Sequence, residues 1–101
     1  MMPIKKVLIT TQQVFRAYSR KTGQQFKTND IVYMTYLLSR QNQIKCRDLV
    51  KYFNKTHATI IYGEGRITDL LTYDKNLQQL YAAAKIKLDN IIINSNDDTD
   101  Y

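Results

Sequence analysis

Residues that interrupt regular secondary structure are scarce in this chain. Its one proline is Pro3, and its three glycines are Gly23, Gly63 and Gly65. Glycine and proline supply most of the turns that separate short strands, so a chain with few of either residue is better suited to helices. The sequence therefore predicts an all-α fold, a small bundle of about five helices that contains a helix-turn-helix.

Capping residues and the spacing of apolar residues predict where the helices lie. They span about residues 11–22, 30–40, 45–53, 57–71 and 75–88. The predicted N-caps are Thr10 or Thr11, Thr28 or Asn29, Thr56 and Asp74, and Gly23 is predicted as a left-handed stop. The second helix is apolar on most sides, so we expect it to be central and largely buried. The chain divides into an N-terminal arm (1–8), one domain (9–93) and an acidic disordered tail (94–101).

The fourth predicted helix contains two glycines. Gly63 and Gly65 each cost ~1 kcal/mol there relative to alanine, so we expect both to pack closely against a neighbouring helix. Ile60, Ile61 and Ile67 are predicted to form the apolar side of the same helix.

The chain is basic, and its charge is unevenly distributed. It has 15 Lys and Arg against 9 Asp and Glu, a formal charge of +6. Four of the acidic residues fall in the last thirteen positions, so residues 1–88 carry a net charge of +10. A compact domain of this charge favours a polyanionic partner, although an ordinary solvated basic face is the alternative.

Several classes of function are excluded by composition. A single cysteine, Cys46, and a single histidine, His57, leave no internal disulfide, multi-cysteine zinc site or paired-imidazole metal site. No phosphate-binding glycine loop, paired carboxylates or nucleophile–base pair can be assembled. We therefore expect a non-enzyme without cofactor or metal, in which Cys46 is a core residue. The apolar stretch at residues 7–9 is too short for a signal peptide or a membrane span, which predicts a reduced, soluble, cytoplasmic protein that does not bind membranes.

Residues 44–67 carry the most specific functional pattern. A short helix, a turn of about three residues and a second helix with small polar residues at its start are typical of a helix-turn-helix, whose second helix enters the major groove of DNA. The residues predicted to contact bases are Thr56, His57, Ala58 and Thr59. Lys45, Arg47, Lys51, Lys55 and Arg66 are predicted to contact phosphates.

These residues resemble a known family. Residues 9–88 are similar to the C-terminal DNA-binding domain of DnaA-type replication initiators, a Trp-repressor-like helical module. The family's string Phe, Gly, any residue, Arg, Asp, His, Thr, Thr, Val, followed by Lys-Ile, resembles Phe53-Asn54-Lys55-Thr56-His57-Ala58-Thr59-Ile60, followed by Arg66-Ile67. The family's apolar spacing upstream matches residues 46–53, and its Met-x-Leu run resembles residues 34–38. The resemblance implies a stand-alone domain that binds double-stranded DNA in replication or transcription, in the cytoplasm at the nucleoid.

Departures from the family pattern favour a second hypothesis. The turn is one residue shorter, and Thr56 and Ala58 stand where the family has Asp and Thr. The family's Arg-rich minor-groove loop corresponds to residues 24–27, where Lys27 is the remaining candidate. The alternative is that the fold serves as a protein-interaction module, docked on a replication or transcription protein, and has lost DNA recognition. The sequence leaves the oligomeric state open.

Overall fold

A computed structural model describes residues 3–99 of the chain, with side-chain contacts for residues 3–91. Within that range it contains five helices and no strand, which confirms the predicted all-α class. The helices are α1 (Ile4–Thr22), α2 (Thr28–Gln41), α3 (Cys46–Phe53), α4 (His57–Leu71) and α5 (Lys75–Thr99). None of these helices is long and apolar enough to cross a membrane.

The predicted caps of α2 were wrong: the Lys27 carbonyl accepts the Asp30 N–H at 3.0 Å, so Thr28 and Asn29 lie inside the first turn.

Three predicted helix boundaries are formed by the residues expected. Gly23 ends α1 in the left-handed conformation, with φ of 74°, and its N–H donates to the Ser19 carbonyl at 2.8 Å. Thr56 caps α4, because its Oγ1 accepts the Thr59 N–H at 3.2 Å. Asp74 precedes α5 and accepts the Leu77 N–H through Oδ1 at 3.1 Å. In each case a backbone group that a helix terminus leaves without an intrahelical partner is hydrogen-bonded.

The start of α1 corrects the sequence prediction. The helix begins at Ile4, so residues 4–8 are helical and do not form an arm. Pro3 holds φ at −67° just before the helix, and its carbonyl accepts the N–H groups of Lys6 and Val7. Val7 is completely buried, which binds this first turn to the core. Thr11 therefore lies inside the helix, where its hydroxyl donates to the Val7 carbonyl at 2.8 Å.

The end of α5 also differs from the prediction. The helix was expected to stop near Leu88 but continues to Thr99, since neither glycine nor proline follows Lys75 to interrupt it. The backbone of residues 94–99 is thus helical where an irregular tail was expected, and residues 100–101 lie outside the described range. That this acidic segment is disordered in solution stays a prediction.

Helix α2 occupies the centre of the domain, as its sequence predicted. It packs against α1 on one side and α4 on another, while α5 covers α1 and α3 covers α4. Every helix contributes to one buried apolar core, whose members are Val7, Phe15, Met34, Tyr36, Leu38, Ile44, Cys46, Leu49, Ile60, Ile67, Leu77, Leu80, Ala84 and Leu88. The burial of Cys46 confirms its assignment to the core. This shared core fixes the positions of α3 and α4 relative to the other helices.

Two predictions for α4 were wrong. Gly63 is packed against α2, as expected, but a Cβ atom at Gly65 would have no neighbour within 4 Å. Ile61 is 45% exposed and lies outside the core. Successive helical residues point about 100° apart, so the helix that buries Ile60, Gly63 and Ile67 turns Ile61 and Gly65 away from α2.

Candidate nucleic-acid interface

The connection between α3 and α4 consists of Asn54, Lys55 and Thr56. Asn54 adopts the left-handed conformation, with φ of 54° and ψ of 50°, and Lys55 donates its N–H to the Val50 carbonyl at 3.2 Å. Asparagine is one of the few residues other than glycine that enters this region readily. The connection is therefore short and hydrogen-bonded, and it fixes α4 relative to α3.

In the first turn of α4, two side chains have no hydrogen-bond partner within the protein's described residues, and two are bonded to each other. His57 and Ala58 are exposed, and among the described residues no side-chain hydrogen bond involves the His57 imidazole. The hydroxyls of Thr56 and Thr59 lie 2.9 Å apart and bond each other, while Thr56 also serves as the cap. Of the four predicted base-contacting residues, His57 and Ala58 are thus the freest to meet a ligand.

Four of the predicted phosphate-contacting side chains belong to α3, to its N-cap and to the connection that leads to this turn. Lys45, Arg47, Lys51 and Lys55 are all exposed. Arg47 and Lys51 are four residues apart and share the exposed side of α3. Among the described side chains the one ion pair joins Arg40 Nε to Glu64 Oε1 at 3.4 Å, so none of these four cations has a carboxylate partner. Their charge is available to an anionic ligand.

Arg66 and Lys27 are placed differently. They line one surface cleft of about 270 Å³ together with Asp30 and Asp74, between the starts of α2 and α5 and the middle of α4. Burial raises the pKa of Asp30 above its ordinary value, although the nearby Lys27 ammonium opposes that shift. The two cations therefore lie in a cleft that also contains two carboxylates, whereas Asp48 is the one acidic residue within residues 45–55. The described residues contain no cluster of three or more His, Cys, Asp or Glu side chains that could hold a metal ion.

Exposed apolar residues in the middle of α4 were missed by the sequence analysis. Tyr62 is 63% exposed and packs edge-on against Tyr33, with ring centroids 6.3 Å apart. Ile61 and Gly65 lie beside it on the outer side of the helix. A helical projection anchored on Ile60 and Ile67 would have found them, because it places Ile61 well away from both.

No family model, curated protein or solved structure matches this chain. The similarity to the initiator domain therefore stays a prediction that depends on the residues quoted for it.

Proposed function

We propose that this protein binds double-stranded DNA, with α3, the Asn54–Thr56 connection and α4 acting as a helix-turn-helix. The proposal rests on one observation: the exposed first turn of α4 follows directly on α3 and its connection, where Lys45, Arg47, Lys51 and Lys55 are exposed and form no ion pair with a described side chain. A recognition helix needs an exposed N-terminal turn to face bases, and cations nearby to face phosphates. Both requirements are met on the same pair of helices.

Each part of this surface has a chemical role in the proposed complex. Helix α4 lies in the major groove, which is about 12 Å wide and admits one helix. The His57 imidazole offers a hydrogen bond to a base edge, and the Ala58 methyl offers an apolar contact. Arg47 and Lys51 on α3, with Lys45 and Lys55 at its two ends, contact phosphates across the groove. Arg66 and Lys27 line a cleft with Asp30 and Asp74, whose carboxylates reduce the positive potential there, so we assign these two cations a smaller part.

The biological setting is proposed from the same site. In this setting the domain is a non-catalytic regulator in replication or transcription, at the nucleoid in the cytoplasm. The resemblance to initiator domains supports this setting. The left-handed backbone at Asn54 is consistent with it, because that family has Gly at the corresponding position.

Salt dependence of binding tests the proposal. Each phosphate neutralised by a cation contributes a slope of about −0.9 to log affinity against log salt. Lys51→Ala should weaken binding to all duplexes alike and flatten the slope by about one unit. The measurement is a duplex titration by fluorescence anisotropy at several salt concentrations.

A matched control is available on the far helix pair. Lys87 is exposed on α5, where its ammonium donates to Gln13 Oε1 of α1 at 3.4 Å. Lys87→Ala removes the same charge from a different side, so it should leave the slope unchanged. A slope near zero for the unaltered protein, or equal slopes for both variants, would refute phosphate contact by α3.

The second candidate function is a protein-interaction module. The exposed Ile61 and Tyr62 on α4 and the 46% exposed Tyr52 on α3 favour it, since aromatic and aliphatic side chains are typical of protein interfaces. This function predicts no duplex binding at any salt concentration. The salt titration therefore separates the two candidates.

A further inference from the structure

The outer side of α4 carries a narrow apolar strip, formed by Ala58, Ile61 and Gly65. Spacings of three and four residues place these positions on one side of a helix. Ile61 is 45% exposed, and a Cβ atom at Gly65 would meet nothing within 4 Å. Tyr62 leans towards Tyr33 of α2 and borders the strip.

Neither Ile61 nor Gly65 is required by the packing of the fold. Ile61 does not belong to the buried core, and Gly65 neither adopts a positive φ nor packs against a neighbour. An exposed β-branched residue and an exposed glycine are both poor choices for the middle of a helix. Their shared position points to a ligand that approaches the helix backbone closely at Gly65 and covers Ile61.

We infer that the α4 strip contacts the C5-methyl groups of thymines in the major groove, an inference that rests on the proposed DNA-binding function. Charge favours DNA over a protein as the occupant, because α3 packs against α4 and carries, with its two ends, four exposed cations that form no ion pair with a described side chain. Thymine is the one base with a methyl group in the major groove. Ala58 and Ile61 offer no hydrogen bond, so an apolar contact is the discrimination available to them.

The length of the strip sets how many base pairs it covers. Gly65 lies seven positions after Ala58, which corresponds to roughly 10 Å along the helix axis. Successive base pairs are 3.4 Å apart, so the strip spans about three pairs. The preferred duplex should therefore contain one or two thymines within three successive pairs, next to the base contacted by His57.

Uracil substitution tests the inference without altering the fold. A preferred duplex is selected from random DNA, and each thymine is replaced in turn by uracil, which removes only the methyl group. At one or two positions the unaltered protein should bind the uracil duplex about three- to fivefold more weakly, the effect of one buried methyl. Ile61→Ala should bind the thymine and uracil duplexes about equally.

Ile86→Ala is the matched control, since Ile86 is 62% exposed on α5 and its loss removes the same atoms. This variant should keep the full thymine preference. Gly65→Leu adds a side chain where close approach is required and should weaken the selected duplex about tenfold or more, with no loss of thermal stability.

The outcomes separate the inference from the proposed function. Salt-dependent duplex binding that is indifferent to uracil, or an Ile61→Ala variant that keeps the thymine preference, would overturn the inference and leave DNA binding in place. Absence of binding to any duplex would overturn both, and the strip would then be assigned to a protein partner.

Discussion

Gly63 and Gly65 lie two residues apart on α4 in opposite environments. A Cβ atom at Gly63 would lie 2.6 Å from Tyr33 Cδ1 and 2.9 Å from Tyr36 Cδ2. Tyr36 is almost fully buried, so this side of the contact cannot move away freely. At Gly65 the same atom would enter open space.

Alanine substitutions at the two glycines should therefore have opposite effects on stability. Gly63→Ala should lower the free energy of unfolding by about 1–3 kcal/mol, the usual cost of overpacking. Gly65→Ala should raise it by about 1 kcal/mol, because alanine loses less backbone entropy in a helix. Urea unfolding followed by circular dichroism measures both changes, and effects of the same sign would contradict the packing described for α4.

The sequence predicted close packing at both glycines and could not distinguish Gly63 from Gly65. Both glycines stand in an apolar helical segment, and only the position of Tyr33 and Tyr36 distinguishes them. Ile61 is a different case, because the helical spacing of Ile60 and Ile67 already indicates that Ile61 faces away from the buried side. Residue type predicts that a helix has a core side, whereas tertiary packing fixes its orientation.

At the scale of the element, two helices are followed by residues other than glycine that have a left-handed backbone. Asn54 follows α3 with φ of 54°, and Gln43 lies just after α2 with φ of 67°. A side chain with a Cβ atom costs roughly 1–2 kcal/mol in this region, and asparagine is better tolerated than most. Asn54→Ala should therefore lower the free energy of unfolding by about 1 kcal/mol, whereas Asn54→Gly should leave it nearly unchanged.

Gln43→Gly provides the complementary variant, because glutamine has no special tolerance for positive φ. It should raise the free energy of unfolding by up to about 1 kcal/mol, after the greater entropy of glycine in the unfolded chain is subtracted. Thermal unfolding of the three variants checks both positions. A stable Asn54→Ala protein would show that the connection before α4 is not held in the left-handed conformation.

Helix boundaries were predictable where a local signal sets them. The start of α4 follows from the Thr56 cap, and the end of α1 follows from Gly23. The start of α1 was not predictable from its caps, because Thr10 and Thr11 resemble N-caps but are buried inside the helix. Burial of Val7 against the other helices decides that boundary, and no local pattern contains that contact.

At the scale of the whole molecule, the helical core fixes the surface formed by α3, the Asn54–Thr56 connection and α4. The core fixes α3 against α4, and the short connection exposes His57 and Ala58. Four exposed cations lie on α3 and at its two ends, and none forms an ion pair with a described side chain. The sequence could indicate these residues together because they are close in the chain, but not that Arg66 lines a cleft with Lys27, since distant segments form that cleft.

The most direct test of base recognition by α4 is a binding competition between a selected duplex and random duplex DNA, with the unaltered protein, His57→Ala and Lys51→Ala. His57→Ala should cost about 1–3 kcal/mol on the selected duplex, the size of one base contact, and much less on random DNA. Lys51→Ala should weaken both duplexes equally, because phosphates carry no sequence information. Equal weakening of both duplexes by His57→Ala would contradict base recognition by the first turn of α4.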